Sequence, residues 1–266
     1  MVDRLDLALP AWAEGVLVIG DVHGQDQLFR AAIALAAAER RFVVSLGDLV
    51  DRGPDNAACI RLVLDLLRRE AGLFLRGTHD DKLYRALKGN PVTIDGDLAL
   101  TLEQLDSAPD SEALKKGFSD AYRAAPFLVR LGTCIMVHGA FAPAMLATRT
   151  FNSGLKALAL FGETKAHGTG PEPVRTYGWV ERIPAGTTVV IGHHPISDEK
   201  VLVRTNGRGS SVVHLDCGAG KGRGLGTLRL ASDGEVLNAV RFDRCGRELR
   251  GKEAPFVAVD EEAAAD

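Results

Sequence analysis

The chain has 266 residues, 46% of them hydrophobic and 25% charged, with a formal net charge of -3 at pH 7. That composition excludes global disorder, and the charge excludes the broad basic surface of a general nucleic-acid binder, so no stable nucleic-acid complex is expected. No run approaches the roughly 18 apolar residues of a membrane span. The N-terminus MVDRLDLALPAWAEG lacks the basic start and apolar run of a signal peptide, and Cys59, Cys134, Cys217 and Cys245 form no CxxC pair. The expectation is a cytoplasmic protein with reduced thiols and no membrane partner.

Residues 1–14 read as an N-terminal extension. VLVIGDVHG, FVVSLGDLVDRG and LFLRGTHD are apolar runs that end in polar residues, as strands of a parallel sheet do, and TCIMVHGA and TTVVIGHHP repeat the pattern. QDQLFRAAIALAAAERR and DNAACIRLVLDLLRRE, which separate the first three runs, space their apolar residues at helical intervals and predict a βαβαβ unit. The stretch from about 82 to 130 is more polar and reads as a helical cap beside the sheet. From Thr187 onward, VLVRT, SVVHLD, LGTLRL and EVLNAVRF alternate with turns and predict a second sheet. The fold class expected is α/β, a single-domain sandwich of two mixed β-sheets flanked by helices over residues 15–245, with 246–266 as a frayed acidic tail.

In open α/β sheets ligands gather at the carboxyl ends of strands. In Gly20-Asp21-Val22-His23-Gly24 a strand ends in a carboxylate and an imidazole two residues apart, on one side of the chain. Oxygen with nitrogen suits manganese, iron or zinc. Gly47-Asp48-Leu49-Val50-Asp51-Arg52-Gly53 is more specific, because Asp48 has two oxygens to bridge a pair of cations, while Asp51 can orient a catalytic group and Arg52 can clamp a phosphate. The bland alternative for that stretch is a capped helix start with a surface ion pair, which Pro54 also suits. His79 follows Arg76-Gly77-Thr78, His138 lies in Val137-His138-Gly139-Ala140, and His193 lies in Gly192-His193-His194-Pro195. Together with His23, these strand-end histidines are better explained by one shared site than by separate structural roles.

Taken in order, GDVHG, GDLVDRG, GTHD, VHGA and GHHP, followed by LDCGAG with LGTLRL, resemble the phosphoprotein phosphatase branch of the calcineurin-like metallophosphoesterases over roughly residues 15 to 230. That branch includes bacterial Ser/Thr phosphatases and symmetrical diadenosine tetraphosphatases. The resemblance implies two divalent cations, manganese first, with iron or zinc as alternatives. Asp21, His23 and Asp48 would hold one, and Asp48, Thr78, His138 and His193 the other. It also implies that His79 is the general acid, oriented by Asp51, and that Arg52 binds the phosphoryl oxygens. Arg175 in VRTYGWVERIPAG is the candidate second arginine, ahead of Arg76 and Arg182. Two cations about 3.5 to 4 Å apart lower the pKa of a water between them and stabilise in-line displacement, so neither serine nor cysteine is needed as nucleophile. Cys217 reads as packing near the site.

Thr78 departs from the pattern, since relatives carry an asparagine whose amide oxygen ligates the second metal. A hydroxyl is shorter and a poorer ligand. Three outcomes are open: a water bridges the gap, the second metal binds weakly, or binding survives without catalysis. The expected activity is hydrolysis of phosphoserine or phosphothreonine in a phosphorylated protein. One alternative is symmetrical hydrolysis of a dinucleoside polyphosphate, or hydrolysis of a capped nucleotide, whose base would stack on Tyr84, Phe118 or Tyr122 between Asp81 and Ala125. The other, from a different class, is a catalytically impaired phosphate-binding protein.

Overall fold

The first apolar run, Val16 to Ile19, is wholly buried, and its side chains alternate between two cores: Val16 and Val18 face one, Leu17 and Ile19 the other. A strand buried on both faces belongs inside a layered α/β fold. The computed structural model has that architecture and describes residues 2–165, 174–195, 200–251 and 256–258.

In chain order, β1 (Arg4–Asp6) precedes β2 (Gly15–Ile19), α1 (Asp26–Ala38), β3 (Arg41–Ser45), α2 (Asn56–Arg68) and β4 (Gly72–Phe74). Three helices follow, α3 (Thr78–Leu87), α4 (Gly96–Asp106) and α5 (Ser111–Ala124), then β5 (Leu128–Leu131) and β6 (Cys134–Val137). The short α6 (Ala144–Ala147), α7 (Ser153–Phe161), the hairpin β7 (Glu163–Lys165) and β8 (Val174–Thr176), and β9 (Thr188–Ile191) come next. The chain continues through β10 (Val201–Thr205), β11 (Ser211–His214), β12 (Leu225–Ala231), β13 (Val236–Phe242), β14 (Glu248–Arg250) and β15 (Phe256–Ala258).

One sheet has the order β14-β13-β12-β2-β3-β4, and the other β1-β5-β6-β9-β11-β10-β15. Both are mixed: β2, β3 and β4 run parallel, while β12 is antiparallel to β2. Val18, Val44, Met136, Val190 and Leu228 fill the space between the sheets. On the outer face of the first sheet Phe29 of α1, Ile60 of α2 and Phe118 of α5 cover Leu17 and Ile19. Phe141, Trp179 and Leu160 cover Ile135 and Val189 of the second.

The two-sheet sandwich matches the expected fold class, but its sheets do not divide the chain at Thr187. LGTLRL and EVLNAVRF return to the first sheet as β12 and β13, with Thr227 opposite Ile19. TCIMVHGA supplies β6 to the second sheet, parallel to β9. The apolar alternation of these runs is the same in either sheet, so pairing is decided by tertiary edges. The expected extension contributes β1, paired with β5, and the expected tail contributes β14 and β15, paired with β13 and β10. Residues 259–266 lie outside the described residues. The cap also differs, because β5 falls within it and Leu98, Leu105, Leu114 and Phe118 join the core around α2. Tyr122 and Phe118 are buried and Tyr84 stacks on Tyr122 at 4.8 Å, so these aromatics serve the core and not a ligand.

Candidate active site

Each motif places its polar residues just past the end of a strand, and the two sheets bring those ends together. Five of the seven non-glycine residues with positive φ among the described residues are His23, Asp48, Asp51, Arg52 and His193. Such conformations cost about 1–3 kcal/mol each and persist where surrounding structure enforces them. Two glycines make the approach possible. A Cβ at Gly77 would stand 2.1 Å from Asp48 N, and one at Gly220 would stand 2.6 Å from His23 Cδ2.

Asp48 is the hub. The donor atoms of His23, Asp48 and His79 lie within 4.8 Å of one another, as do those of Asp48, His138 and His193. His23 Nδ1–H donates to Val50 O at 3.0 Å and His138 Nδ1–H to Leu46 O at 2.9 Å, which turns both Nε2 lone pairs inward. His138 Nε2 is 3.4 Å from Asp48 Oδ2 and 3.1 Å from His193 Nδ1. Asp21 is buried beside this cluster but outside both triads; its two oxygens accept the His193 N–H at 3.0 and 2.9 Å. Thr78 Oγ1 donates to the Asp48 carboxylate, at 3.2 Å from Oδ2 and 3.4 Å from Oδ1, and the His79 N–H donates to Oδ1 at 2.8 Å.

His79 Nδ1 lies 2.7 Å from Asp51 Oδ2, and Asp51 Oδ1 accepts from Thr101 Oγ1 at 2.5 Å. Burial opposes protonation of His79, but the Asp51 hydrogen bond and the Asp48 charge raise its pKa above the ordinary value. Arg52 spans the opening, with Nη1 3.2 Å from His23 Nε2 and Nη2 3.1 Å from His79 Nε2. The helix start anticipated after this motif belongs to Asp55, whose carboxylate caps α2 through Ala58 N at 2.7 Å. Asp48 and Asp51 are thereby left to the cluster.

Arg175 lines a narrow hollow with His193 and His194, and donates to Phe161 O at 2.9 Å. The weaker candidates are engaged elsewhere: Arg76 donates to Ala125 O and Arg123 O, and Arg182 pairs with Glu163. Cys217 is buried, and burial pushes its thiol up to about 12.

Negative charge is concentrated here. Burial, then Asp216 and Asp48, raise the Asp21 carboxyl well above its ordinary range. Burial and the Asp48 charge push Asp80 up to about 7, and burial chiefly pushes Asp216 up to about 6. Against burial, Asp48 raises His138 to about 9, while His138, His79 and His23 hold Asp48 well below the carboxylate range. His193 Nε2 and Asp80 Oδ2 are buried without hydrogen-bond partners among the described residues. Two imidazole lone pairs at 3.1 Å repel unless a proton or a cation lies between them. Crowded carboxylates facing imidazole nitrogens are a donor set that divalent manganese, iron or zinc satisfies, so the residues present fit a metal.

The sequence reading gave Asp80 only nearby negative charge and a helix start, and did not assign roles to Thr101 or Asp216. Asp216 ends SVVHLD and carried the same strand-end signal as the assigned residues, whereas Thr101 sits inside α4 with no local mark.

The family profile described as calcineurin-like phosphoesterase matches residues 15–216. Among curated relatives, the asymmetrical bis(5'-nucleosyl)-tetraphosphatase PrpE of Geobacillus sp. (strain WCH70) is 29% identical over 231 residues, covering 80% of this chain and 89% of that protein. The protein of the same name from Bacillus subtilis (strain 168) is 28% identical over 228 residues, with the same coverage, 80% and 89%. Among solved structures, a protein provisionally named a diadenosine tetraphosphatase aligns with a TM-score of 0.57 at 21% identity, over 91% of this chain and 98% of its own. A protein serine/threonine phosphatase from Saccharomyces cerevisiae aligns at 0.53 and 14% identity, over 96% and 85%. At those identities the structural likeness speaks to the fold. The chain belongs to the calcineurin-like phosphoesterases and is a phosphoric ester hydrolase.

Proposed function

We propose that the chain hydrolyses dinucleoside polyphosphates at a dinuclear metal centre, splitting a tetraphosphate unequally into a nucleoside monophosphate and a nucleoside triphosphate. The observation that carries the hydrolytic chemistry is the convergence of four histidines on Asp48, with His79 held by Asp51. The substrate class rests on the relatives, which align over most of this chain and bear that name. The residues alone put phosphoserine and phosphothreonine first, and these remain the comparison.

Asp21, His23 and Asp48 would hold one cation, and Asp48, His138, His193 and, through its hydroxyl, Thr78 the other. When bound, the cations supply an activated water and neutralise charge developing on the phosphoryl group. Arg52 binds the phosphoryl oxygens, its guanidinium exchanging the two imidazole contacts for charge-assisted hydrogen bonds. Asp51 accepts from His79 Nδ1–H, so the proton for the leaving oxygen is the Nε2 proton of the His79 imidazolium. The Asp51 hydrogen bond and the Asp48 charge favour that proton against burial, raising the His79 pKa above the ordinary value. Arg175 holds the opposite side of the phosphate from its seat on Phe161 O.

The test is manganese-supplemented turnover of diadenosine tetraphosphate beside a phosphopeptide, with products separated by ion exchange. The expected result is AMP with ATP, and a kcat loss of about 100-fold or more in His79→Ala. Preference for the phosphopeptide would reject the substrate, two molecules of ADP would reject the unequal split, and full activity of His79→Ala would reject the acid.

A further inference from the structure

Among the described residues two hollows touch the centre, and they differ greatly in size. The one beside His193 and Arg175 holds about 10 Å³, room for about one water. The one beside His79 holds about 540 Å³, within the range of about 300–1,000 Å³ typical of small-molecule sites. Thr78 and His79, in the first turn of α3, form its inner end. A group protonated by His79 therefore departs into this space.

We propose that this hollow receives the nucleoside end of the departing group, with Phe161 stacking on the base and Arg85 holding its phosphates. The proposal rests on the dinucleoside polyphosphate reading above. Phe161 ends α7 and is 49% exposed, an unusual state for an aromatic side chain beside a polar cleft. Its backbone oxygen accepts from Arg175, so the aromatic ring and the phosphate-side arginine are fixed to the same residue. Lys82 lies one helical turn beyond Thr78, anchored by Asp95, which also caps α4 through Leu98 N. Arg85 is exposed, and its Nη2 donates to Pro91 O at 3.2 Å. The α3 N-terminus adds partial positive charge at the inner end.

Asp81 and Asp95 also line the hollow, Asp95 as the partner of Lys82, so Arg85 is the cation left facing it, and with the aromatic face of Phe161 it matches a base that carries its own phosphates. A peptide leaving group asks instead for partners along an extended groove. The relevant aromatic also lies outside the 81–125 segment, where sequence reasoning placed the candidates.

Manganese-loaded protein is assayed on diadenosine tetraphosphate and on p-nitrophenyl phosphate, in the wild type, Phe161→Ala, Phe161→Tyr and Arg85→Ala. Base stacking on an aromatic side chain is worth about 1–3 kcal/mol, roughly 5- to 150-fold. Phe161→Ala is expected to raise KM for the dinucleotide more than it lowers kcat, so that the ratio of kcat/KM for dinucleotide over p-nitrophenyl phosphate falls about tenfold. Phe161→Tyr should restore that ratio, and Arg85→Ala should lower it about fivefold. An unchanged ratio in both alanine variants, or equal losses on both substrates, overturns the pocket while leaving the dinucleotide activity in place. A wild type that cleaves p-nitrophenyl phosphate but not the dinucleotide removes the substrate reading, and the pocket with it.

Discussion

Thr78 occupies the first turn of α3 with its hydroxyl directed at the hub carboxylate, 3.2 Å from Asp48 Oδ2. A hydroxyl that donates there withdraws electron density from the carboxylate that two cations would share. An asparagine at the same position offers a longer side chain with an amide oxygen and no proton on it. Helix propensities of threonine and asparagine are close, so exchanging them in this turn has little effect on the fold. Thr78→Asn should therefore lower the manganese concentration for half-saturation by about tenfold, the lower end of the effect of altering a group that supports metal ligands. Calorimetric titration of manganese checks it; equal affinity in the two proteins would show that Thr78 and its replacement stand clear of the cation. The geometry also explains why this residue was legible as a departure. It lies in an otherwise intact motif, so one changed side chain stands out. Thr101, which bonds Asp51 from 50 residues away, has no motif to depart from.

At the scale of elements, α1 and β12 are joined at Glu39, one residue past the helix. Its carboxylate accepts from Arg229 Nε at 2.6 Å and Arg41 Nε at 3.0 Å, and Arg250 approaches at 3.6 Å. Arg229 is 6% exposed, so losing the charge of Glu39 leaves a nearly buried guanidinium with Asn238 Oδ1 at 2.9 Å and the Glu248 carboxylate at 3.9 Å as its remaining partners. Glu39→Gln should cost about 1–3 kcal/mol at pH 7. Burial opposes ionisation of Glu39, but the hydrogen bonds from Arg229 and Arg41 win and hold its pKa below the ordinary 4.5. A depressed folded pKa gives stability that is fully present above the unfolded value and disappears as pH falls through the folded one. Urea unfolding of wild type and variant should accordingly show a gap that is constant down to about pH 5 and shrinks toward about pH 3. A gap independent of pH would refute the charge argument. The elements themselves were largely legible. The runs that became β2, β3 and β4 and the helices between them rely on local periodicity. What periodicity does not encode is which open edge a strand joins, and so β12, β13 and β6 were expected in the wrong sheets. The short β1, β14 and β15 carry three residues each, too few to show a period.

Across the whole molecule, the site belongs to neither sheet alone. Asp21, His23, Asp48 and Thr78 follow β2, β3 and β4 of one sheet, whereas His138, His193 and Asp216 follow β6, β9 and β11 of the other. Without a cation, burial and the charges of Asp216 and Asp48 raise the Asp21 carboxyl well above its ordinary range, so Asp216 of one sheet and the aspartates of the other repel across the gap between the sheets. A divalent cation turns that repulsion into a cross-link between layers. Any ligand that binds only the folded chain stabilises it by RT ln(1 + [L]/Kd), about 2.7 kcal/mol at a hundredfold excess over Kd. For a chain of this size 1 kcal/mol corresponds to roughly 2–4 °C, so saturating manganese should raise the Tm by about 5–10 °C over protein held in chelator. The same measurement on Asp48→Asn should show most of that increment gone, because Asp48 contributes to both donor groups. If chelator and manganese give one Tm for the wild type, the cluster does not bridge the sheets through a metal, and the strained backbone at His23, Asp48 and His193 needs another cause.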